Sequence, residues 1–265
     1  MAGEKKPSVI QQQPNLTRTP QVYFKPREFN NALFAHGYWI VSERAVRCPC
    51  SSGGMGPHPT CENCGGVGFF YIEPRECRAL ITSLNRDTEY REWSPELIGA
   101  VNVTVEDSQR EVIEFYNRIT LKEEFTTFSE TLKLNVSGDE GWCFCTYAPI
   151  QFYGVYVFVA DNQPLVKISE AAYSISTDNK YCVKFDMTQF PAEFVNYSIS
   201  VSYKHRIEYK IIDVPHEVRS SLKQSTKGSF EQIKMPLQGV ARRSHLIIQD
   251  RPNYDGGGVI ENDTY

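Results

Sequence analysis

From about residue 99 to residue 214, apolar and polar side chains alternate with a period of two. Val101, Val103 and Val105 take turns with Asn102, Thr104 and Glu106, and Leu132, Leu134 and Val136 with Lys133, Asn135 and Ser137. The longest run sets Ile199, Val201, Tyr203, His205, Ile207, Tyr209 and Ile211 on one face, and Ser200, Ser202, Lys204, Arg206, Glu208 and Lys210 on the other. Successive strand side chains point to opposite faces, so this is the pattern of an antiparallel strand packed on one side and solvated on the other. At about 3.3 Å per residue the run would extend roughly 40 Å, enough to bend or to serve two sheets. Tyr153 to Val159 is apolar on both faces and reads as a central strand. Turn signals at Ser137-Gly138-Asp139, Asp161-Asn162, Thr177-Asp178-Asn179 and Phe190-Pro191 separate the runs. The fold class predicted is mainly β, with an antiparallel barrel or sandwich over residues 99–214.

The flanks follow other patterns. Residues 1–30 carry Pro7, Pro14, Pro20 and Pro26 in polar sequence and read as an extended N-terminal arm. Within residues 31–98, Ala32 to Val46 reads as a first strand, and a cysteine-rich loop occupies about 46–71. A short helix is predicted from Pro74 to about Asn85, where Cys77, Leu80, Ile81 and Leu84 recur at helical spacing. After Pro215, residues 215–265 read as a polar C-terminal extension, with one or two helical turns over His216 to Gln224.

Composition sharpens this picture. Aromatic residues make up 12% of the 265, a bias that suits pleated, half-buried surfaces. The formal charge of -4 argues against a dedicated nucleic-acid binder, which relies on Lys and Arg to neutralise phosphates. No signal-peptide pattern opens the chain. The uncharged stretch Gly141 to Ala160 contains Pro149, Gln151 and Gly154 and reads as a turn and a buried strand, with no membrane partner expected.

The cysteines carry the candidate chemistry. Cys48-Pro-Cys50 is followed, ten residues on, by Cys61-Glu-Asn-Cys64-Gly-Gly-Val-Gly68. Zn²⁺ takes four thiolates in a tetrahedron, and a Cys-x-x-Cys turn closed by glycine brings two of them to one metal. The Cys-x-Cys pair supplies the other two. Ser51 to Thr60 has three glycines and two prolines and no core of its own, so metal binding is what would order it. The alternatives are two disulfides, which a reducing compartment disfavours, or redox chemistry at Cys61 and Cys64, which the helix-breaking Gly65-Gly66 disfavours. Four cysteines close the coordination shell, so the metal is expected to be structural, with His58 a possible substitute ligand.

Other residues point to no reaction. Cys143 and Cys145 repeat the Cys-x-Cys spacing but are expected in or beside a strand, with only Cys77 and Cys182 left as partners. Five histidines pair with cysteines only arithmetically, and His205 sits on the apolar face of its strand. Glu123-Glu124 and Asp139-Glu140 are neighbours that face opposite ways along a strand. No enzyme is predicted.

Cys61-Glu-Asn-Cys64-Gly-Gly-Val-Gly68 matches a single copy of the unit that DnaJ-type chaperone zinc domains use four times. In layout, Arg47-Cys-Pro-Cys50 through Pro59 to Gly68 more closely resembles the loop of head–tail connector (neck) proteins in tailed bacteriophage virions. The segment Arg206-Ile-Glu-Tyr-Lys-Ile-Ile-Asp-Val-Pro-His-Glu-Val-Arg219 is similar to the end of a head-closure (stopper) β-barrel. The resemblance implies a homo-oligomeric ring between portal or adaptor and tail proteins, around packaged DNA. The subunit would be part of the virion, assembled in the bacterial host cytoplasm. The other reading is a zinc-stabilised module that contacts a protein or single-stranded nucleic acid. Against the latter, Lys204, Arg206 and Lys210 lie on one face of the long strand, with Tyr203 and Tyr209 opposite.

Overall fold

A computed structural model describes residues 25–51, 57–58, 61, 63–84, 98–160, 162–190, 198–214, 220–224 and 230–247. Helix α1 (Pro26–His36) leads into β1 (Tyr38–Arg47), β2 (Phe69–Ser83), β3 (Ala100–Val105) and β4 (Arg118–Lys133). Then come β5 (Asn135–Ser137), β6 (Glu140–Phe144), β7 (Pro149–Val157), β8 (Val166–Lys167), β9 (Tyr173–Ile175) and β10 (Cys182–Asp186). The chain continues through β11 (Ser198–Asp213), β12 (Ser220–Gln224), β13 (Phe230–Lys234) and β14 (Leu237–Arg242). Among the described residues no helix is long and apolar enough to cross a membrane.

The expected choice between barrel and sandwich resolves into both, joined by two long strands. Strands β14, β3, β2, β1, β4 and β11 are hydrogen-bonded in that order, and β11 also pairs with β14, which closes an antiparallel barrel. Closure leaves these six strands no free edge. The barrel is filled from every strand, with Ile40, Val103, Val105, Ile119, Ile211 and Ala241 each fully buried. Burying one such branched side chain contributes about 1.5–3 kcal/mol. Beyond the barrel, β4 and β11 stay paired, and β7 and β8 extend their sheet. A second sheet in the order β5, β6, β10 and β9 packs over it around Val155, Val157, Val183, Phe185, Ile199 and Val201. The sixteen-residue β11 therefore belongs to two cores, as its length suggested. The changeover lies where Arg206 opposes Phe125 but Glu208 opposes Thr120, so β4 bulges by several residues there.

Three expectations are corrected. The helix predicted from Pro74 is the far half of β2, where Cys77, Ala79 and Ile81 face the core with a period of two. Apolar residues at 77, 80, 81 and 84 fit a helical template as well, and the small Ala79 between them adds too little hydrophobic signal to reveal the period of two. Pro74 is tolerated because it sits at a bulge, opposite the register shift between Ser42 and Arg44, where Glu73 has φ 51°. Secondly, among the described residues the α-helix that forms is α1, in the residues read as arm and first strand. Pro26 stands in its first turn, where the missing N–H costs nothing, and the Gly37 N–H donates to the Leu33 carbonyl at its end. Thirdly, the segment after Pro215 is more than an extension, because β14 closes the barrel. Its inward residues Leu237, Gly239 and Ala241 are mostly small, which hid the alternation. Gly239 must be small, since a Cβ there would come within 2.6 Å of Ile113. The arm up to residue 24 lies outside the described residues, as do 216–219 of the turns predicted over His216 to Gln224, and the rest of those turns is the strand β12.

Candidate metal centre

The loop between β1 and β2 brings the four expected cysteines together. Arg47 pairs with Phe69 at the end of the ladder, and one step on, the Cys48 N–H donates to the Gly68 carbonyl at 2.7 Å. Cys50 follows in a single 3-10 turn. On the other arm, the Gly65 N–H donates to the Cys61 carbonyl at 2.7 Å and the Val67 N–H to the Cys64 carbonyl at 3.1 Å, so the chain folds back around both sulfurs. Gly65 has φ 60°, and a Cβ on it would come within 3.1 Å of the Phe144 ring on β6. A side chain there would both strain the turn and push the loop off the second sheet.

The Sγ atoms of Cys48, Cys50, Cys61 and Cys64 all lie within 4.8 Å of one another, close enough to hold a metal ion. Cys48 and Cys61 are 3.8 Å apart and Cys50 and Cys64 3.5 Å apart, none within bonding distance. Sulfurs about 2.3 Å from a tetrahedral Zn²⁺ stand about 3.8 Å from each other. The donor set therefore fits a tetrathiolate metal. Cys48 and Cys64 are buried, and Cys50 and Cys61 half-buried. Burial pushes the Cys48 and Cys64 thiols up. At Cys61 burial is outweighed by the backbone N–H groups of Cys64 and Asn63, which hold the thiol below its usual value. Two buried thiols that resist ionisation gain most from a cation at their centre.

Among the described residues no other cluster meets the same geometric test. His58 is not in the group; its carbonyl accepts the Cys61 N–H at 3.1 Å. Cys143 and Cys145 are on and beside β6 and point into the sandwich core with Cys182 of β10 near them, while Cys77 lies in the barrel core, so a second set of four cysteines is not brought together. His216 lies outside the described residues.

Beside the metal loop the structure holds a polar cluster that the sequence pattern concealed. Glu208 and Lys210 were expected on a solvated face; both are buried. The outside of β11 in its barrel half is covered by the turn between β9 and β10 and by β2. Arg118 lies between the rings of Tyr71 and Tyr181, 3.9 and 4.6 Å from their centroids, and its Nε donates to Glu43 at 2.7 Å. The Tyr181 hydroxyl donates to Glu208 at 2.6 Å, and Lys180 reaches Glu43 at 3.3 Å. Burial opposes the Arg118 charge, yet Tyr181, Glu208 and Glu43 around it keep the guanidinium above its ordinary value. Burial likewise opposes the Glu43 charge, and Arg118 and then Lys180 hold that carboxyl below its usual range. A cleft of about 1010 Å³ runs from this cluster past Trp142 and Phe144 to Cys64 and Gly65.

A second polar cluster marks the change of cores. His205, 1% exposed, stacks on the Tyr147 ring at 4.0 Å and donates Nδ1–H to the Arg206 carbonyl at 2.6 Å. The Tyr147 hydroxyl and His245 Nδ1 are 2.6 Å apart, and Tyr203 donates to Glu130. Burial lowers the His205 pKa to about 4 from 6.5. The folded state thus disfavours the proton that the unfolded chain accepts, so stability is full above about pH 6.5 and falls as pH drops towards 4. The loss is on the order of 3 kcal/mol at the acid end. His205→Phe should flatten this dependence, read as urea midpoints between pH 7 and 4.5. Equal pH slopes in the two proteins would refute it.

No protein-family model matches the chain, and no curated protein matches it in sequence.

Proposed function

We propose that this chain is a non-enzymatic virion subunit, a ring-forming head–tail connector of a tailed bacteriophage, whose four cysteines hold a structural Zn²⁺. Zn²⁺ suits the site because it is redox-inert and accepts four thiolates without geometric strain. Bound there, it would cross-link the two arms of the β1–β2 loop through Cys48, Cys50, Cys61 and Cys64. A four-thiolate shell has no position left for substrate, which is why the metal would brace and not react.

The observation that carries the reading is where the loop sits. It springs from the barrel, and through Gly65 it rests on Phe144 of the second sheet. Metal binding would thus lock two layers into one rigid subunit, which a ring under load requires. Exposed apolar side chains at the other end of the same hairpin agree with assembly. Phe34, Tyr38 and Trp39 are 67%, 41% and 41% exposed, with Arg78 stacked on Phe34 and Trp39. Such a patch on a lone subunit suits contact with a neighbouring copy.

Native mass spectrometry of the full chain tests this. The expected result is a closed ring of fixed copy number that Phe34→Ser together with Trp39→Ser dissociates into folded subunits. A monomer at every concentration would overturn the connector reading.

A further inference from the structure

The outward face of the sandwich half of the large sheet is populated by cations, aromatic rings and hydroxyls. Strand registers place Lys167, Tyr156, Ser200 and Thr131 in one row across β8, β7, β11 and β4. Two rows along the strands, Lys204 stands between Gln151 and Thr127, and Arg206 opposes Phe125 in the next. The row between holds Ser129, Ser202 and Gly154, with Tyr153 and Ile150 exposed at the two register shifts of β7 beside it, and none of these is a carboxylate. From the Tyr156 row to the Phe125 row the face runs about 20 Å, and across its strands about 14 Å. No ion pair among the described residues engages Lys167, Lys204 or Arg206.

The rings are placed to receive something flat. Phe125 is 42% exposed, with the Lys204 ammonium 4.7 Å and the Arg206 guanidinium 5.9 Å from its centroid. Tyr156 leans over Gly154, where a Cβ would come within 2.7 Å of its ring, so it lies along the sheet. On β11 alone, aromatic and basic residues fall on opposite faces, and that separation argued against a stacking platform. The neighbouring strands supply the missing rings, because residues directly opposite in an antiparallel register share a face.

We propose that this face binds single-stranded nucleic acid, with Lys167, Lys204 and Arg206 on phosphates and Phe125 and Tyr156 under bases. Charge complementarity selects a polyanion, in a chain whose net charge is -4 overall. Interleaved rings and cations select a single strand, whose bases are free to stack. Serine and threonine hydroxyls between them suit phosphate oxygens. A virion subunit and a free binding module could each use such a face, so it stands apart from the connector reading.

The test is fluorescence anisotropy of the full chain with a labelled oligothymidine of roughly 20 nucleotides, longer than the about 4–16 that one small domain covers. Binding should weaken with salt at a log–log slope of about -2, from three phosphate contacts at about 0.7 each. Lys204→Ser with Arg206→Ser should bring the slope to about -0.7. Phe125→Ser should weaken binding roughly 10-fold with the slope unchanged. All three residues are surface-facing, and circular dichroism would confirm that the variants stay folded. The proposal is overturned by no binding at low salt, by variants that bind like the parent, or by tighter binding of a duplex of equal length. Capture of an acidic peptide of residues 248–265 without capture of the oligothymidine would overturn it too.

Discussion

Cys64→Ser should abolish tight metal binding and release the segment from Cys48 to Gly68 to proteolysis, while the barrel and sandwich stay folded. Cys64 is the buried member of the Cys-x-x-Cys turn, and its neighbour Gly65 seats that turn on Phe144. Removing one thiolate leaves three sulfurs, two of them exposed enough to be hydrated, around a cation that needs four ligands. In isolated zinc fingers the metal contributes about 10–16 kcal/mol, which is all of their folding energy. Here both cores are built without the loop, so the global loss should be only a few kcal/mol and the local loss nearly complete. Cys61→Ser should act in the same direction. Metal content, limited proteolysis and a thermal melt on each variant provide the check. Unchanged metal content and an uncut loop would remove the cysteine cluster from any structural role.

Arg118→Met should destabilise the whole protein by about 3–5 kcal/mol, the cost of leaving buried charge uncompensated. The Arg118 side chain is 8% exposed and its partner Glu43 12%, and Glu208 lies close behind Tyr181. Methionine would keep much of the stem but leave Glu43 with only the half-exposed Lys180. For a chain of this length the loss lowers Tm by on the order of 10 °C. Arg118→Lys should recover little, because an ammonium cannot stack flat between Tyr71 and Tyr181 as a guanidinium does. Combining Arg118→Met with Glu43→Gln should restore part of the loss by removing the stranded carboxylate. A melting temperature within about 2 °C of the parent for Arg118→Met would contradict this role.

The period-two runs around Val101, Leu132 and Ile199 were legible because each has one face in a core and the other outside. The cysteine spacing was legible for a similar reason: turn chemistry is local, and Cys61-Glu-Asn-Cys64-Gly carries its own geometry. What stayed hidden depends on contacts far apart in the chain. Glu208 and Lys210 continue the polar face of Ser200 to Arg206, and nothing local says that Tyr181 and Tyr71 cover them. Pro74 looked like a helix start because a bulge cannot be seen until Ser42 and Arg44 stand opposite. β14 was missed because the barrel leaves room only for Gly239 and Ala241 beside Ile113 and Ile211, so its core face carries little hydrophobic signal. In each case tertiary neighbours outweighed local pattern.

The order of the loop from Cys48 to Cys64 depends on its metal. Zinc K-edge X-ray absorption of the purified full chain, with the bound zinc counted per chain, addresses it most directly. The expected result is one zinc per chain in a shell of four sulfurs at about 2.3 Å. A metal-free chain with Cys48, Cys50, Cys61 and Cys64 in disulfides, or a shell containing oxygen or nitrogen, would contradict it.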